Sequence, residues 1–314
     1  MGLTSPPQFQ GGRSLAVWLI VNPRAGGGRG ARTLAGLLPL LEAEGVKPAV
    51  HVCADGSEPE AVARRAIADG AEMVVAIGGD GHAAAVAEAL IGTPVSFAVV
   101  PAGSANDYAR ALGMRRRPMT ELARLISQGQ TQQVDVMRVA TGQRTRHVLT
   151  VGGAGFDARV AERAMAIRRL RGAPRYVAAM LAEMPAYGPA GFAIEVDGQR
   201  METDAMLVAV ANGSTYGGGM RVAPGAHLQS GRLEVCVVGD LSRLGFLRAF
   251  PRVFRGTHVS HPRVTMLRGQ QVDVSADRAL SVIGDGELIG SLPAQFRVLP
   301  GALAVVAARD APLA

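Results

Sequence analysis

Ile77-Gly78-Gly79-Asp80-Gly81-His82 and, further along, Pro101-Ala102-Gly103-Ser104-Ala105-Asn106-Asp107 are the two segments that decide the fold of this chain. Each follows a short apolar run with the character of a buried parallel strand, Met73 to Ile77 and Phe97 to Val100, and each runs into alanine-rich helical sequence. They therefore read as strand-to-helix loops on one edge of a sheet. Successive glycines let a backbone turn sharply and bring N–H groups close to a ligand, and the helix that follows points the positive end of its dipole there. That combination cradles phosphate. Asp80 adds a carboxylate, which suits an anion site only when a cation such as Mg²⁺ joins the phosphates.

Working outward, the pattern from Ser14 to Gly129 alternates strands and helices, the signature of an α/β domain with a parallel sheet. Strands are predicted at 15–21, 47–53, 73–77 and 96–100, and helices at 30–43, 58–69, 82–91, 104–112 and 119–128. A third glycine-rich turn, Asn22-Pro23-Arg24-Ala25-Gly26-Gly27-Gly28-Arg29-Gly30, follows the first strand and falls on the same edge. Open α/β sheets bind ligands there. Asn22 is a candidate hydrogen-bond donor, and Arg24 and Arg29 are either phosphate-neutralising or solvated. Residues 1–13, polar and rich in Pro and Gly, read as a flexible leader.

After Gln130 the texture changes to strands with few helices, predicted at 132–139, 145–151, 191–197, 205–211, 232–238, 263–267, 271–275, 279–283, 295–299 and 302–308. Alternation such as Phe192-Ala193-Ile194-Glu195-Val196 points to an antiparallel sandwich. One long helical stretch, from Asp157 to Glu183, interrupts it. The expectation is a flexible leader, an α/β nucleotide-binding domain over 14–129 and a β-sandwich domain over 130–314.

Composition narrows the chemistry. The chain has 314 residues, 48% of them apolar, and a formal charge of +7 carried almost entirely by arginine, Lys47 being the sole lysine. A Walker-type Gly-Lys-Ser/Thr loop is therefore excluded. Arginines are spread along the chain and aromatics are too few for a base-stacking platform, so nucleic acid is not expected as a partner. Cys53 and Cys236, far apart in strand-like segments, read as reduced thiols of a cytoplasmic protein. Leu15 to Val21 is too short to span a membrane and no targeting signal stands out, so any contact with lipid is peripheral.

The same segments carry a resemblance. Asn22-Pro23, Gly78-Gly79-Asp80-Gly81 and Gly103-Ser104-Ala105-Asn106-Asp107-Tyr108-Ala109-Arg110, followed by Asp135, Gly152 to Asp157, Ala211-Asn212-Gly213, Tyr216 to Gly219 and Asp285-Gly286-Glu287, resemble the diacylglycerol kinase catalytic-domain family in order and spacing. This family also holds sphingosine, ceramide and bacterial soluble lipid kinases. The resemblance implies an NAD kinase/diacylglycerol kinase-like fold and ATP-dependent transfer of the γ-phosphoryl group to a lipid hydroxyl in the cleft between the domains. It implies ATP and Mg²⁺ as cofactors, held by Asn22, Pro23, Gly26, Gly78, Gly79, Asp80, Gly81, His82, Gly103, Ser104 and Asn106, with Asp80 meeting the metal through ATP. Asp285 and Glu287 match the family's catalytic acidic pair. Read from the residues alone, Asp285-Gly286 is equally a hairpin turn, and Asn106 and Asp107 are equally helix caps.

Two departures stand out. Where the family continues its first glycine motif with Thr and an Asn-Glu pair, this chain has His82, Ala84 and Ala85. Glu88 lies one turn further along and is a doubtful replacement, while His82 either donates to a phosphate or occupies an exposed first turn. In Pro224 to Glu234, Gln229 and Ser230 stand where many members carry carboxylates for a structural Mg²⁺, so that site is expected to be absent. A nucleotide- or lipid-binding pseudokinase is thus one alternative function, and an NAD kinase, which shares Gly-Gly-Asp-Gly, another.

Arg159, Arg163, Arg168, Arg169, Arg171 and Arg175 crowd the long helical stretch among Met165, Ile167, Leu170, Tyr176 and Met180, and Arg248, Arg252 and Arg255 repeat the pattern on Leu244 to Phe254. Basic amphipathic surfaces attract anionic headgroups. The expected partner is a lipid substrate met at an anionic membrane surface. Neither the acceptor lipid nor the oligomeric state, a homodimer among the options, is legible.

Overall fold

The computed structural model describes residues 15–53, 58–142, 144–167, 170 and 173–314. The leader and Arg168, Arg169 and Arg171 lie outside them. The first part runs β1 (Val17–Val21), α1 (Ala25–Ala43), β2 (Ala49–Val52), α2 (Pro59–Ala68), β3 (Met73–Gly78), α3 (Asp80–Leu90), β4 (Ser96–Pro101), α4 (Asp107–Ala111) and α5 (Met119–Gln128). Its strands lie parallel in the order β4-β3-β1-β2. Every residue of β3 is buried, as it must be in a parallel sheet covered on both faces. Hydrogen bonding starts α1 at Ala25, but Gly26, Gly27 and Gly28 have φ of 57°, 73° and 91°, so regular helix begins only beyond them.

The second part is antiparallel: β5 (Thr131–Thr141), β6 (Thr145–Val148), β7 (Val151–Gly155), α6 (Phe156–Ala166), α7 (Ala173–Glu183), β8 (Ala190–Val196), β9 (Gln199–Ala211), β10 (Leu233–Gly239), α8 (Arg243–Val253), β11 (Val264–Gly269), β12 (Gln271–Ala276), β13 (Ser281–Gly284), β14 (Glu287–Ser291) and β15 (Ala294–Val306). β8 alternates buried and half-buried residues, the signature of a sheet packed on one face. Several details differ from the sequence expectation, β14 being a strand that was not predicted. The strand expected over 145–151 breaks into β6 and β7 at Leu149-Thr150, because those two residues turn inward to bind a side chain described below. The two strands expected over 295–299 and 302–308 are one, bulged between Leu299 and Leu303. The helical stretch is two helices, α6 and α7.

The two parts are tied by β15. It pairs antiparallel with β5 along most of its length and then meets β4 in parallel, Val305 opposite Phe97. Leu303, Val305, Val306 and Leu313 accordingly lie in the same core as Leu19, Ile77 and Phe97. A separate core, including Val139, Phe192, Val210, Val235 and Phe296, fills the sandwich. No helix among the described residues is long and apolar enough to cross a membrane.

Candidate active site

The loops after β1, β3 and β4 converge on one sheet edge and are packed backbone to backbone. A β-carbon on Gly103 would come 2.4 Å from the Gly79 Cα, and one on Gly30 would come 1.9 Å from the Asn22 carbonyl oxygen. Only glycine permits this approach. Asn22 donates its N–H to the Ile77 carbonyl (2.9 Å) and accepts from Arg24 N–H through Oδ1 (3.1 Å), so it links the first loop to β3. The Arg29 guanidinium donates to the Gly103 carbonyl (2.6 Å), joining the first loop to the third. Pro23, Gly26, Gly81 and Ser104 line the same cleft.

Asp80 and Asn106 brace the loops. Asn106 adopts φ 54°, accepts from Gly103 N–H (2.9 Å) and donates back to the Gly103 carbonyl (2.9 Å). Asp80 accepts from Asn106 N–H (2.7 Å) and Tyr108 N–H (3.2 Å), capping α4 from the neighbouring loop. Burial, then the nearby Asp107 and Asp285, pushes the Asp80 carboxyl up to about 6 against those two N–H bonds. Three carboxylates therefore face one cleft from three segments. His82 departs from both readings of the sequence. It is buried, its Nε2 lies 3.0 Å from the Ile20 carbonyl oxygen under the sheet, and it neither faces the cleft nor sits exposed. The ring turned inward because Gly78, against which it packs, leaves it room.

From the other side of the cleft come Asp285 and Glu287. Asp285 (φ 48°) and Gly286 (φ 83°) form the turn of the β13–β14 hairpin. The Asp285 carboxylate accepts from Leu149 N–H at Oδ2 (2.7 Å), and at Oδ1 from Thr150 N–H (2.9 Å) and the Thr150 hydroxyl (2.6 Å). A carboxylate offers about four lone-pair sites, so one remains, on Oδ2. Burial raises its pKa, and the bonds from Thr150 and Leu149 pull it partway back. Asn212 steadies that corner, donating Nδ2 to the Leu149 carbonyl (2.9 Å) and its own N–H to the Thr150 carbonyl (2.8 Å). Glu287 is exposed at the rim, its Oε1 2.7 Å from where a β-carbon on Gly81 would lie. Partial shielding of its carboxyl by the facing wall of the cleft, and then Asp285, raise its pKa, and Arg146 opposes them.

Thr150, Asp107 and Arg115 are the cleft residues that sequence reasoning missed or reduced to lesser roles. Asp107 is buried and accepts from Gly218 N–H across the domain junction (2.7 Å). Arg115 donates to the Ala105 carbonyl (3.1 Å) and lines the cleft with Arg24 and Arg29. The presence of Asp107 in the Gly103-to-Arg110 motif was a signal for it; Thr150 and Arg115 carry none.

The cleft encloses about 1540 Å³ and changes character along its length. At one end lie the glycine loops, the carboxylates and the arginines. The other is walled by Phe156, Met180, Leu207, Val222, Phe246 and Phe250, between α6, α7 and α8 and the sheet. Among the described residues no three acidic, His or Cys side chains are close enough to hold a metal by themselves. The donor set nevertheless fits a cation that arrives already bound to phosphate, since Asp107 and Asp285 both disfavour the charge on Asp80 without one. The 224–234 turn does not suit Mg²⁺. There the neutral Gln229 amide donates to the Gln133 carbonyl (2.9 Å), and both Asp135 oxygens accept backbone N–H groups, from Gly231 (2.6 Å) and Gly301 (2.9 Å).

Comparison with known proteins agrees with this geometry. The diacylglycerol kinase catalytic domain model matches residues 16–139, and the YegS C-terminal NAD kinase beta sandwich-like domain matches residues 150–307. A diacylglycerol kinase of Mycobacterium tuberculosis is 31% identical over 295 residues, covering 93% of this chain and 95% of that one. One of Bacillus subtilis is 25% identical over 280 residues, covering 88% and 91%. The crystal structure of a diacylglycerol kinase from Bacillus anthracis superposes with a TM-score of 0.72 at 21% identity, covering 94% of this chain and 98% of that one, which speaks to the fold. On both domain matches and the near-complete coverage of its relatives, the chain belongs to the diacylglycerol kinase catalytic-domain family of lipid kinases.

Proposed function

We propose that this protein transfers the γ-phosphoryl group of ATP to the hydroxyl of diacylglycerol or a related lipid, with Asp285 as the general base. The observation that carries the proposal is a single cleft with a phosphate-suited end, an apolar end and a carboxylate with one free lone pair between them. Arg24, Arg29 and Arg115, with the N–H-rich loops at Gly26 to Gly28, Gly78 to Gly81 and Gly103 to Asn106, hold the polyphosphate of the donor. Mg²⁺ bound with ATP would neutralise charge on the transferring group, near Asp80. Asp285 accepts the proton of the acceptor hydroxyl as that oxygen attacks phosphorus and ADP leaves, a role its raised pKa favours. Glu287 supports the same end of the cleft, and acyl chains lie along Phe156, Phe246 and Phe250.

The acceptor reaches the cleft from an anionic bilayer. Support comes from α7 and α8, which wall the apolar end yet leave Val177, Leu181, Leu244 and Leu247 exposed, on a surface that also carries Arg248 and Arg252. Arg159 and Arg163 contribute less, being drawn to Glu183 at 3.2 and 3.8 Å.

The test is Asp285→Ala in purified protein with labelled ATP and lipid micelles. Turnover falls by about 10²–10⁴ with nucleotide binding nearly intact; an unchanged rate removes the assignment. A second reading, a nucleotide- and lipid-binding pseudokinase, is favoured by the buried His82 and by Ala84 and Ala85, which leave the first turns of α3 after Asp80 without a polar side chain toward phosphate. Calorimetric binding of ATP-Mg²⁺ without transfer to any lipid of a total extract would decide for it.

A further inference from the structure

We propose that Glu88 is a positioning residue for Asp285, a strut from the helix that starts at the phosphate loop to the corner that holds the base. Glu88 is half-buried on the flank of α3 and grips His147 twice. Its Oε2 accepts His147 N–H (3.1 Å) and its Oε1 lies 2.9 Å from His147 Nδ1. His147 is in β6, whose next residues after Val148 are Leu149 and Thr150, the donors to the Asp285 carboxylate. The carbonyl side of that corner is anchored within its own domain by Asn212. Glu88 anchors it to the other domain, and to the element whose first residue is Asp80.

The energetics favour a firm strut. Burial works against the charged Glu88 carboxyl, yet the hydrogen bonds from His147 and the charge of Arg146 hold its pKa below the usual range, so the group stays ionised. A carboxylate that accepts from both the backbone and the ring of one residue fixes that residue in direction as well as distance. Because α3 runs as one unbroken helix from Asp80 past Glu88, the spacing between the phosphate loop and the base is then set by α3 and two short bonds. Positioning at this level matters, since a displacement of about 1 Å at a reacting group lowers rates by about a hundredfold. The chain lacks the polar pair expected at Ala84 and Ala85; Glu88 does not replace it toward the nucleotide but acts on the opposite wall of the cleft.

The proposal rests on Asp285 being the base, and the test separates the two. In the full-length protein, with ATP-Mg²⁺ and 1,2-dioctanoylglycerol in mixed micelles, Glu88→Ala lowers kcat by about tenfold to a hundredfold while KM for ATP stays within about twofold. Hydrogen exchange of the 145–151 segment quickens by about tenfold, and that of the 73–82 segment does not change. Glu88→Gln, which keeps an acceptor for His147 N–H, recovers most of the rate. A loss in Glu88→Ala that appears in KM for ATP, or unaltered exchange over 145–151, or no recovery in Glu88→Gln, overturns the proposal. If Asp285→Ala is crippling and Glu88→Ala is not, positioning alone fails; if Asp285→Ala leaves turnover intact, the base assignment fails and positioning with it.

Discussion

The carboxylate of Glu287 stands over Gly81, its Oε1 2.7 Å from the point where a β-carbon on that glycine would be. The two residues belong to different domains, so this contact closes the cleft at its polar end. Gly81 lies within α3 and has an ordinary helical backbone, which makes the substitution Gly81→Ala a test of the contact rather than of the fold. The added methyl displaces the end of a flexible side chain, at little cost in stability. Thermal melting is expected to stay within a few degrees of wild type while turnover falls by about tenfold. If Glu287 carries the effect, Gly81→Ala adds nothing further in a Glu287→Ala background; additive losses would point to the phosphate loop itself.

His82 gives a prediction of the opposite kind. Its ring nitrogen is bonded to the Ile20 carbonyl beneath the sheet, so His82→Ala takes a second donor from that buried carbonyl and empties the space the ring fills against Gly78, at a cost of about 1–3 kcal/mol. KM for ATP should be unaltered when measured below the melting transition. A large rise in that KM would return His82 to the nucleotide.

Much of this was open to reading before any coordinates. The strand-to-helix loops were placed by the apolar runs ahead of them, because a buried parallel strand is continuous in hydrophobicity and its end is marked by glycine. Asp285-Gly286 was legible as a hairpin turn, and Asp285 with Glu287 as a candidate acidic pair; the structure shows the turn, and the positive φ that makes it aims the Asp285 carboxylate at Leu149 and Thr150. His82 was not legible, since a ring after a glycine loop carries no mark of which way it faces. Thr150 and Arg115 were hidden for a related reason. Their partners, Asp285 and Ala105, are set by the packing of one part of the chain on another, and no local periodicity encodes that.

Asp80 makes stability depend on pH in a definite direction. Its pKa is raised by burial and by Asp107 and Asp285 from 3.8 to about 6. The folded state therefore binds a proton more tightly than the unfolded chain between those values, and the contribution to stability, present below about pH 4, is lost as pH rises through about 6. A shift of this size corresponds to about 2–3 kcal/mol. Asp80→Asn does not titrate, so the stability difference between wild type and Asp80→Asn should move in favour of the variant by that order between pH 4 and pH 7, measured by urea unfolding. A flat difference would mean that Asp80 is solvated in the folded protein.

Asp107 is expected to hold the second domain by one bond whose loss is felt at a distance. Its Oδ2 accepts from Gly218 N–H (2.7 Å), and Arg110, 3.6 Å from its Oδ1, donates to the Gly218 carbonyl (3.3 Å), so α4 grips both sides of one residue. Gly217, Gly218 and Gly219 have φ of 60°, 92° and 110°, a run that only glycine adopts without strain, and Tyr216 just before them lines the cleft. Asp107→Ala strips the Gly218 N–H of its partner and should lower stability by about 1–3 kcal/mol. A double-mutant cycle with Arg110→Ala should show coupling of about 0.5–3 kcal/mol, because both side chains hold Gly218, one at its N–H and one at its carbonyl, and lie 3.6 Å apart. Freed from α4, the Tyr216 loop no longer shapes the wall beside the acceptor, so KM for the lipid should rise more than KM for ATP. Equal rises would place the role of Asp107 at the nucleotide instead.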